Sequence, residues 1–469
     1  MKPRVGLIFE GTYPYVAGGV SSWGNLLMKN MDDVEFVVIH VGAVPKEQEK
    51  KYEIPRNVSE LFEFYLYSSY NWSDGKIKEN EVELLLNVIE YPFDERIMAR
   101  RFTEVLLNLG VRDFTYIVKT KAFWNFLEKV YVDYVPKENF TEFFWMVRGM
   151  VIPLLNALSV NLPTCDLYHS VSTGYAGLVG IAGKLRTGNP LIITEHGIYH
   201  RERQFEILHA DWIEEKFKGA WIKLFTTMSA IEYNLCDKLT TLFRRNAEFQ
   251  MEYCKNKAKI RIIPNGIDYE KFASLKREKR TKDPYIVGLV GRVVEIKDIK
   301  TAIKSAKLVS ERIKNFELWI MGPTDEDPEY YKECLNMARA LNIEDTVKFF
   351  GRVNVLEMYP KIDVLLLSSV SEGQPLVILE AMASGIPVVA TNVGACSELI
   401  YGAEDDELGQ AGIVVSPKDY RRMAKALIRI YEDDDFRKMA GEIGRERVRR
   451  YYTIEKMIEN YRKLYEEVL

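Results

Sequence analysis

Short apolar runs alternate with longer amphipathic stretches along this chain, a pattern that predicts parallel strands joined by helices. Near the N-terminus, residues 5–9 predict a strand, 20–30 a helix and 35–41 a second strand. Further short strands are predicted in the first half of the chain at 166–170, 191–194, 238–241 and 259–263. This half therefore has the rhythm of a βα domain.

The same rhythm returns in the second half. Six short apolar runs predict strands at 285–290, 316–321, 347–350, 364–367, 388–390 and 412–415. Helical segments separate them, which favours a doubly wound parallel sheet. We therefore expect an α/β protein of two Rossmann-like domains that face a central cleft. The domains span 1–275 and 284–452, and a C-terminal helix at 453–469 packs back on the first domain.

Two segments depart from this pattern. From about 45 to 160 the chain is rich in aromatic and charged residues and has mostly helical periodicity. We interpret it as an insertion of helices and a small hairpin in the N-terminal domain. The charged segment SLKREKRTKDP has no apolar periodicity and predicts a solvated linker between the domains.

Composition narrows the class of protein. A chain of 469 residues is long enough for two or three domains, and a net charge of -4 gives no reason to expect a nucleic-acid partner. The five cysteines are scattered without a CxxC pair, which favours buried thiols over disulfides or a zinc site. The longest weakly charged stretch, 149–165, is interrupted by prolines. We therefore expect no membrane-spanning segment and a cytoplasmic protein.

Two carboxylates, Glu372 and Glu380, flank a Gly-Gln-Pro turn after the predicted strand at 364–367. The turn leads into a helix predicted to begin at Leu376, so both glutamates belong to the carboxyl edge of the sheet, where open α/β folds bind ligands. Two explanations stay open. Acidic residues at a helix start complement the helix dipole by about 0.3–1 kcal/mol each. Alternatively, the carboxylates accept hydrogen bonds from the hydroxyls of a ligand whose phosphate meets the free amides.

A basic pair follows the first strand of the second series, where Arg292 and Lys297 lie five positions apart. Such a pair can clamp a diphosphate, although surface cations are often only solvated. In the first domain, Gly18 and Gly19 permit close approach of a ligand to a helix start, or form a plain tight turn.

The cluster at 194–201 is the other dense group of polar residues, and four of the five histidines lie between His169 and His209. Because the HExxH spacing is absent, a metal site is disfavoured. His196 and Arg201 are better candidates as donors from the first domain.

Three segments together carry a family resemblance: GRVVEIKDIK, PNGID and SEGQPLVILEAMASGIPVVATNVGACSE. They closely resemble glycosyltransferase family 4, retaining enzymes that use nucleotide sugars and have the GT-B fold. The N-terminal EGTYPYVAGGVSSW, the aromatic-rich insertion and TEHGIYHRER resemble its PelF-type branch, the cytosolic glycosyltransferases of Pel exopolysaccharide synthesis.

The resemblance implies roles for the candidate residues. Glu380 would bind the ribose of the nucleotide and Glu372 the hydroxyls of the donor sugar, while Arg292 and Lys297 would neutralise the diphosphate in place of a metal. No cofactor is then expected. His196 would face the sugar from the first domain. Backbone groups of six further residues would line the donor or approach the acceptor: Gly18, Gly19, Gly373, Gln374, Pro375 and Leu376.

The expected activity is transfer of a hexose or N-acetylhexosamine from a UDP-sugar to a growing exopolysaccharide. Many family members have an aromatic residue and a second glycine where this chain has Gln374 and Pro375, so the sugar stays open. The expected partners are a polysaccharide acceptor and membrane-embedded synthase or export proteins, at the inner face of the cytoplasmic membrane. The alternatives are a synthase or phosphorylase of small soluble sugars and a non-catalytic scaffold that binds UDP-sugars.

Overall fold

A computed structural model describes residues 2–68, 70, 75–89, 101, 103–108, 113–135, 137–276 and 284–469. The chain forms two compact units. Unit 1 comprises Met1–Thr241, Asn246–Ile262 and Asn460–Leu469, and unit 2 comprises Leu242–Arg245 and Ile263–Glu459. Most of the predicted linker, 277–283, lies outside the described residues.

Unit 1 is built on a parallel sheet whose strand order is β3-β2-β1-β4-β5-β6-β7. The strands are β1 Arg4–Glu10, β2 Glu35–Gly42, β3 Val58–Tyr65, β4 Leu167–Ser170, β5 Leu191–Glu195, β6 Lys238–Thr241 and β7 Ile260–Ile262. The central strands are buried, which explains why they are short continuous apolar runs. All six strands predicted here are confirmed to within one residue at each end.

Helices lie between these strands in the described part of unit 1. They are α1 Gly19–Lys29, α2 Glu79–Ile89, α3 Lys121–Tyr134, α4 Phe140–Ser159, α5 Tyr175–Thr187, α6 Tyr199–His209, α7 Glu215–Leu235 and α8 Arg244–Tyr253. Polar caps fix the helix starts in the insertion. Thr120 Oγ1 accepts a hydrogen bond from Phe123 N at 3.2 Å, and Asn139 Oδ1 accepts one from Thr141 N at 2.8 Å.

The strand β3 differs from the sequence prediction, which placed only helices and a hairpin in this part of the insertion. It pairs in parallel with β2 at the edge of the sheet. An edge strand has one neighbour and keeps one side open, so it tolerates polar residues such as Glu60 and Glu63 and lacks a continuous apolar run. Glu60 forms an ion pair with Arg4 of β1, with 2.8 Å between Oε2 and Nη2.

Unit 2 is built on a second parallel sheet of order β10-β9-β8-β11-β12-β13. The strands are β8 Tyr285–Val290, β9 Phe316–Met321, β10 Val347–Gly351, β11 Val364–Leu367, β12 Val388–Thr391 and β13 Gly412–Val415. All six match the prediction to within one residue. Two Rossmann-like parallel-sheet domains are therefore confirmed.

The helices of the second half complete this unit and end the chain. They are α9 Tyr269–Ala273, α10 Ile299–Arg312, α11 Pro328–Ala340, α12 Val355–Met358, α13 Leu376–Ala383, α14 Cys396–Tyr401, α15 Tyr420–Glu432, α16 Asp434–Tyr451 and α17 Ile454–Val468. The end of α17 belongs to unit 1, where the Tyr465 hydroxyl lies 2.7 Å from Nδ1 of the buried His169.

The strand order reverses between β8 and β11 in the second sheet. Such a reversal opens a crevice at the carboxyl ends of the strands, where ligands bind in open α/β sheets. The loop with Arg292 and Lys297 follows β8, and the loop with Glu372 follows β11. Both predicted ligand loops therefore lie at the switch point of unit 2.

Two further findings bear on the class of protein. All five cysteines are buried and unpaired, as the sequence predicted. Within the described ranges, no helix combines the length and the apolar character that crossing a bilayer requires.

Candidate active site

The loop after β11 places Glu372 against a lysine and a serine. Glu372 Oε1 lies 2.6 Å from Lys297 Nζ and 2.5 Å from Ser369 Oγ, and both groups donate to it. The Glu372 side chain is 12% exposed and that of Lys297 is 23% exposed, so the ion pair is partly shielded from water. The structure therefore brings together two residues that the sequence predicted to share a site.

Backbone contacts fix the geometry of the loop with Lys297 relative to the glutamate loop. Ser368 Oγ donates to Lys297 O at 2.8 Å, and Val370 N donates to Ile296 O at 2.9 Å. Because both contacts involve main-chain atoms of the loop after β8, they fix its register against β11. The contact between Lys297 and Glu372 is therefore held by the scaffold of the sheet edge as well as by charge.

Arg292 belongs to the same loop but has a different partner. Its Nη1 lies 2.8 Å from Glu326 Oε2, and the two side chains are 55% and 39% exposed. An ion pair this open to solvent contributes about 0–1 kcal/mol, because water screens both charges. An anionic ligand can therefore replace Glu326 at small cost.

Gly394 allows the close packing behind the glutamate loop. Its φ is +51°, and a Cβ atom there would lie 2.2 Å from Gly373 O and 2.3 Å from Glu372 O. Ala395 N donates to Gly373 O at 2.9 Å in the same contact. Only glycine fits this position without moving the backbone that carries Glu372.

The side-chain amide of Gln374 forms two hydrogen bonds with the backbone of Asn265, so it stabilises the loop. Asn265 N donates to Gln374 Oε1 at 2.7 Å, and Gln374 Nε2 donates to Asn265 O at 3.2 Å. Gln374 and Pro375 are buried, whereas Leu376 at the start of α13 is 39% exposed. Of the predicted turn residues, Leu376 is thus the one that presents its side chain most openly.

Glu380 lies in the second turn of α13, whose first turn holds no acidic residue. Its Oε2 accepts a hydrogen bond of 2.8 Å from the Tyr359 hydroxyl. Burial raises the pKa of the Glu380 carboxyl, an effect that the Tyr359 hydrogen bond and the charge of Lys271 oppose. The explanation that Glu380 complements the helix dipole at the first turn is therefore wrong, and its role as an acceptor for a ligand stays a prediction.

In unit 1, Gly18 and Gly19 are exposed at the start of α1, with Gly18 at the cap position. Apart from the adjoining residues of the chain and the backbone of α1 itself, no heavy atom of the described residues lies within 4 Å of a Cβ built at either glycine. Gly18 N donates to the Tyr52 hydroxyl at 3.3 Å. A ligand could therefore contact the backbone at the start of α1 directly.

His196 follows β5 directly, and its ring centroid lies 4.9 Å from that of Trp23 in an edge-on arrangement. Burial lowers the pKa of the imidazole to about 4, so the ring is neutral at pH 7. Its buried Nε2 has no hydrogen-bond partner among the described residues. Arg201, the other predicted donor, lies in α6, and its guanidinium stacks on the Phe249 ring at 3.8 Å from the centroid.

Glu195, the neighbour of His196, is engaged inside unit 1. Its carboxylate accepts hydrogen bonds from Thr173 Oγ1 at 2.7 Å, Tyr233 Oη at 2.5 Å and Gln250 Nε2 at 2.9 Å. Glu195, one residue of the polar cluster at 194–201, therefore has a structural role inside unit 1. Within the described part of the chain, no group of three His, Cys, Asp or Glu side chains has the arrangement of a metal site.

Sequence reasoning missed three residues that support the site: Ser369, Tyr359 and Asn265. Ser369 was visible as a hydroxyl at the end of a strand, three positions before Glu372. Tyr359 and Asn265 are separated from their partners by 21 and 109 positions, so no local pattern connects them.

Two family models match the chain. The first, described as "Domain of unknown function (DUF3492)", covers residues 3–258, and the second, "Glycosyl transferases group 1", covers residues 270–447. The chain belongs to the DUF3492 family and carries a group 1 glycosyltransferase domain. Lys297, Glu372 and Glu380 all lie inside the glycosyltransferase match.

Individual relatives agree with this assignment. The chain is 29% identical over 46% of its length to a D-inositol 3-phosphate glycosyltransferase of Corynebacterium urealyticum, of which the match covers 54%. It is 25% identical over 44% of its length to the capsular polysaccharide biosynthesis glycosyltransferase CapM of Staphylococcus aureus, of which the match covers 53%. The chain thus spans about half the length of these relatives.

A solved structure supports the fold. The Anabaena protein Alr3699/HepE in complex with UDP superposes with a TM-score of 0.61 over 99% of this chain and 100% of that protein, at 13% identity. At this identity the likeness concerns the fold alone. The group 1 glycosyltransferase domain is thus part of a chain with the GT-B fold.

Proposed function

We propose that this protein is a retaining glycosyltransferase that transfers a hexose or N-acetylhexosamine from a UDP-sugar to a growing exopolysaccharide, as in the PelF-type branch. The observation that carries the proposal is the contact of 2.6 Å between Lys297 Nζ and Glu372 Oε1 at the carboxyl edge of the second sheet. It sets a cation for a diphosphate beside a carboxylate for sugar hydroxyls, at the place where open α/β sheets bind nucleotides.

In this proposal the nucleotide sugar extends along the switch point of unit 2. Glu380 accepts from the ribose hydroxyls, and Glu372 accepts from the hexose hydroxyls. Lys297 and Arg292 stabilise the negative charge that develops on the leaving UDP, which makes a metal unnecessary. The backbone from Gly373 to Leu376 lines the donor.

The residues of unit 1 would complete the reaction. Neutral His196, whose Nε2 is buried and without a partner among the described residues, would donate to a hydroxyl of the sugar. The glycines at 18 and 19 would approach the diphosphate or the acceptor. Glu372 Oε1 already accepts from Lys297 and Ser369, which suits a positioning carboxylate better than a free nucleophile. Retention would then follow from attack on the face that UDP leaves, with the departing phosphate oxygen taking the acceptor's proton.

Two findings on relatives support the donor and the product class. CapM is named for capsular polysaccharide biosynthesis, and Alr3699/HepE was solved with UDP. A polymer of this kind is exported, so we also propose docking to membrane-embedded synthase or export proteins at the inner face of the cytoplasmic membrane.

The test is UDP release by the purified protein with UDP-glucose, UDP-N-acetylglucosamine and UDP-N-acetylgalactosamine. We expect release with one of them, loss in Glu372→Gln, and wild-type activity in Glu442→Gln, a change at an exposed position of α16. A thermal-shift panel checks binding, because a ligand at 100 times its Kd stabilises by about 2.7 kcal/mol. A shift with ADP- or GDP-sugars but none with UDP-sugars contradicts the donor. Binding without UDP release for any acceptor favours the scaffold.

A further inference from the structure

The helices of the insertion enclose a cavity of about 470 Å³. Its walls come from the 3-10 turn Phe114–Lys119, from α3 and α4, and from α7 of the same unit. The described residues that line the cavity all belong to unit 1, and none of them is a candidate active-site residue.

The wall is almost wholly apolar. Phe123, Phe143, Met146, Met150 and Met228 are typical of it. Methionine side chains are flexible and polarisable, and they line surfaces that adapt to varied apolar ligands. Water is a poor occupant because a buried water needs two to four polar partners. An empty cavity is also unfavourable, since its cost rises with its volume. The chemistry of the wall therefore calls for an apolar ligand.

Three of the five polar residues in the lining mark where the cavity meets solvent, and the other two, both on α7, are less exposed. Lys129 and Asp133, one turn apart on α3, and Lys216 on α7 are exposed, and so is Ala220 on α7. These residues place an opening between α3 and the first half of α7. A ligand with an apolar body and a polar end fits this arrangement, because its polar end stays in water.

The volume indicates a long chain rather than a small ring. An apolar cavity of about 150 Å³ accommodates benzene, with six carbons. A space of about 470 Å³ is roughly three times as large and suits about eighteen carbons. This size also lies inside the range of about 300–1,000 Å³ that is usual for ligand pockets.

The outer surface of the same region carries tryptophans. Trp124 on α3, Trp145 on α4 and Trp212 just before α7 are 46%, 57% and 75% exposed. The Trp124 ring stacks on Phe144 at 5.7 Å between centroids. Exposed tryptophans are enriched where proteins meet the interface of a bilayer, since the indole has an apolar body and one polar N–H group. They point to a membrane as the source of the apolar ligand.

We propose that this cavity takes up the long hydrocarbon chain of a membrane lipid, which enters between α3 and α7 while the three tryptophans contact the bilayer interface. The proposal is independent of the transfer reaction. The chain can come from an acyl lipid or from a polyprenyl lipid, and these share the chemistry that the wall recognises.

The experiment uses the full chain and a fluorescent fatty acid, 11-(dansylamino)undecanoic acid, whose emission rises on transfer from water to an apolar site. We expect saturable binding to the wild type. Ala220→Trp, which adds bulk at the exposed opening, should weaken it at least tenfold. Glu215→Trp adds the same side chain to an exposed position of α7 outside the lining and should leave the affinity unchanged. Met150→Trp, which fills the interior, is the second blocking variant, and a far-ultraviolet circular dichroism spectrum and a cooperative thermal transition like those of the wild type show that each variant is folded.

Competition then distinguishes the two sources. Displacement by palmitate alone assigns an acyl chain, and displacement by a polyprenyl phosphate alone assigns a polyprenyl chain. Displacement by both shows that the cavity binds any long hydrocarbon chain. Absence of saturable binding to the wild type overturns the proposal. So does binding that both blocking variants leave unchanged, since the probe then sits elsewhere.

Discussion

Lys297 Nζ lies 2.6 Å from Glu372 Oε1 across two loops that leave neighbouring strands of the second sheet. Each side chain therefore limits the freedom of the other, and the pair is held ready before any ligand arrives. Preorganised charge of this kind stabilises a transition state at little cost in rearrangement.

Replacing the cation tests this relationship. In the proposed mechanism Lys297→Met removes a positive charge that stabilises the leaving UDP, so we expect turnover with the best UDP-sugar to fall by about 10²–10³-fold. Lys300→Met is the matched control, because Lys300 pairs with the exposed Glu333 on the neighbouring helix. Steady-state rates of UDP release measure both. Turnover of Lys297→Met within a few fold of that of Lys300→Met removes Lys297 from the proposed mechanism.

The pH dependence of UDP binding tests Glu380. Its pKa is raised above the ordinary value of 4.5 because the carboxyl is buried. The proposed ribose contact needs the carboxylate as acceptor, so affinity should fall as the pH drops through this raised pKa. In Tyr359→Phe the hydrogen bond that lowers the pKa is lost, and the fall should begin at a higher pH.

Isothermal titration calorimetry measures the dissociation constant for UDP at a series of pH values from neutral down through the raised pKa of Glu380. Glu380→Gln cannot titrate and corrects for protonation of the nucleotide's own phosphate. If the wild type and Glu380→Gln give parallel profiles, the carboxylate does not contact the ribose.

Two glycines provide a matched pair for the geometry of the glutamate loop. Gly394 and Gly351 have φ values of +51° and +66°, but only Gly394 has backbone within 2.3 Å of a built Cβ. Alanine at either site costs about 1–2 kcal/mol of conformational strain. Gly394→Ala should in addition displace Glu372, and a shift of about 1 Å at a positioning group lowers turnover by about 10²-fold.

Comparison of the two variants separates these effects. Urea unfolding should show a loss of stability in both variants, larger in Gly394→Ala because backbone must also move there, whereas UDP release should fall strongly only in Gly394→Ala. Equal activities would mean that the loop tolerates the displacement and that the exact position of Glu372 matters little.

The sequence predicted most strands because a buried parallel strand is a continuous apolar run, as in β11 and β12. It missed β3, since an edge strand mixes Glu60 and Glu63 with aromatic residues and lacks that signal. The sequence placed Lys297 and Glu372 in loops that follow strands of one sheet, which indicated a shared site but not the direct contact between their side chains. The hydrogen bond between Asn265 and Gln374 joins residues 109 positions apart and depends on the folded backbone, so no local pattern contains it.

Arg447 shows the same limit for charge. It lies in the basic run RERVRR of α16, where sequence patterning indicates solvated side chains, yet it is fully buried. Its Nε lies 2.5 Å from Asp406 Oδ2, and its other nitrogens donate to Ile400 O at 2.7 Å and Gly409 O at 2.6 Å. Arg450, the last residue of this run, instead forms an ion pair with Glu446 at the surface, one helical turn before it.

These two arginines predict opposite effects on stability. Arg447→Leu removes the cation that pairs with a buried carboxylate and a donor to three carbonyls, and breaking a buried pair in this way costs about 3–5 kcal/mol. Arg450→Leu removes only a solvated pair and should cost less than about 1 kcal/mol. Urea unfolding of the full chain, followed by circular dichroism, gives the shift of the unit 2 transition for each variant. Because UDP binds the same unit in our proposal, saturating UDP should restore part of the stability of Arg447→Leu. A change in Arg447→Leu as small as that in Arg450→Leu would show that the buried guanidinium contributes no net stability to the second domain.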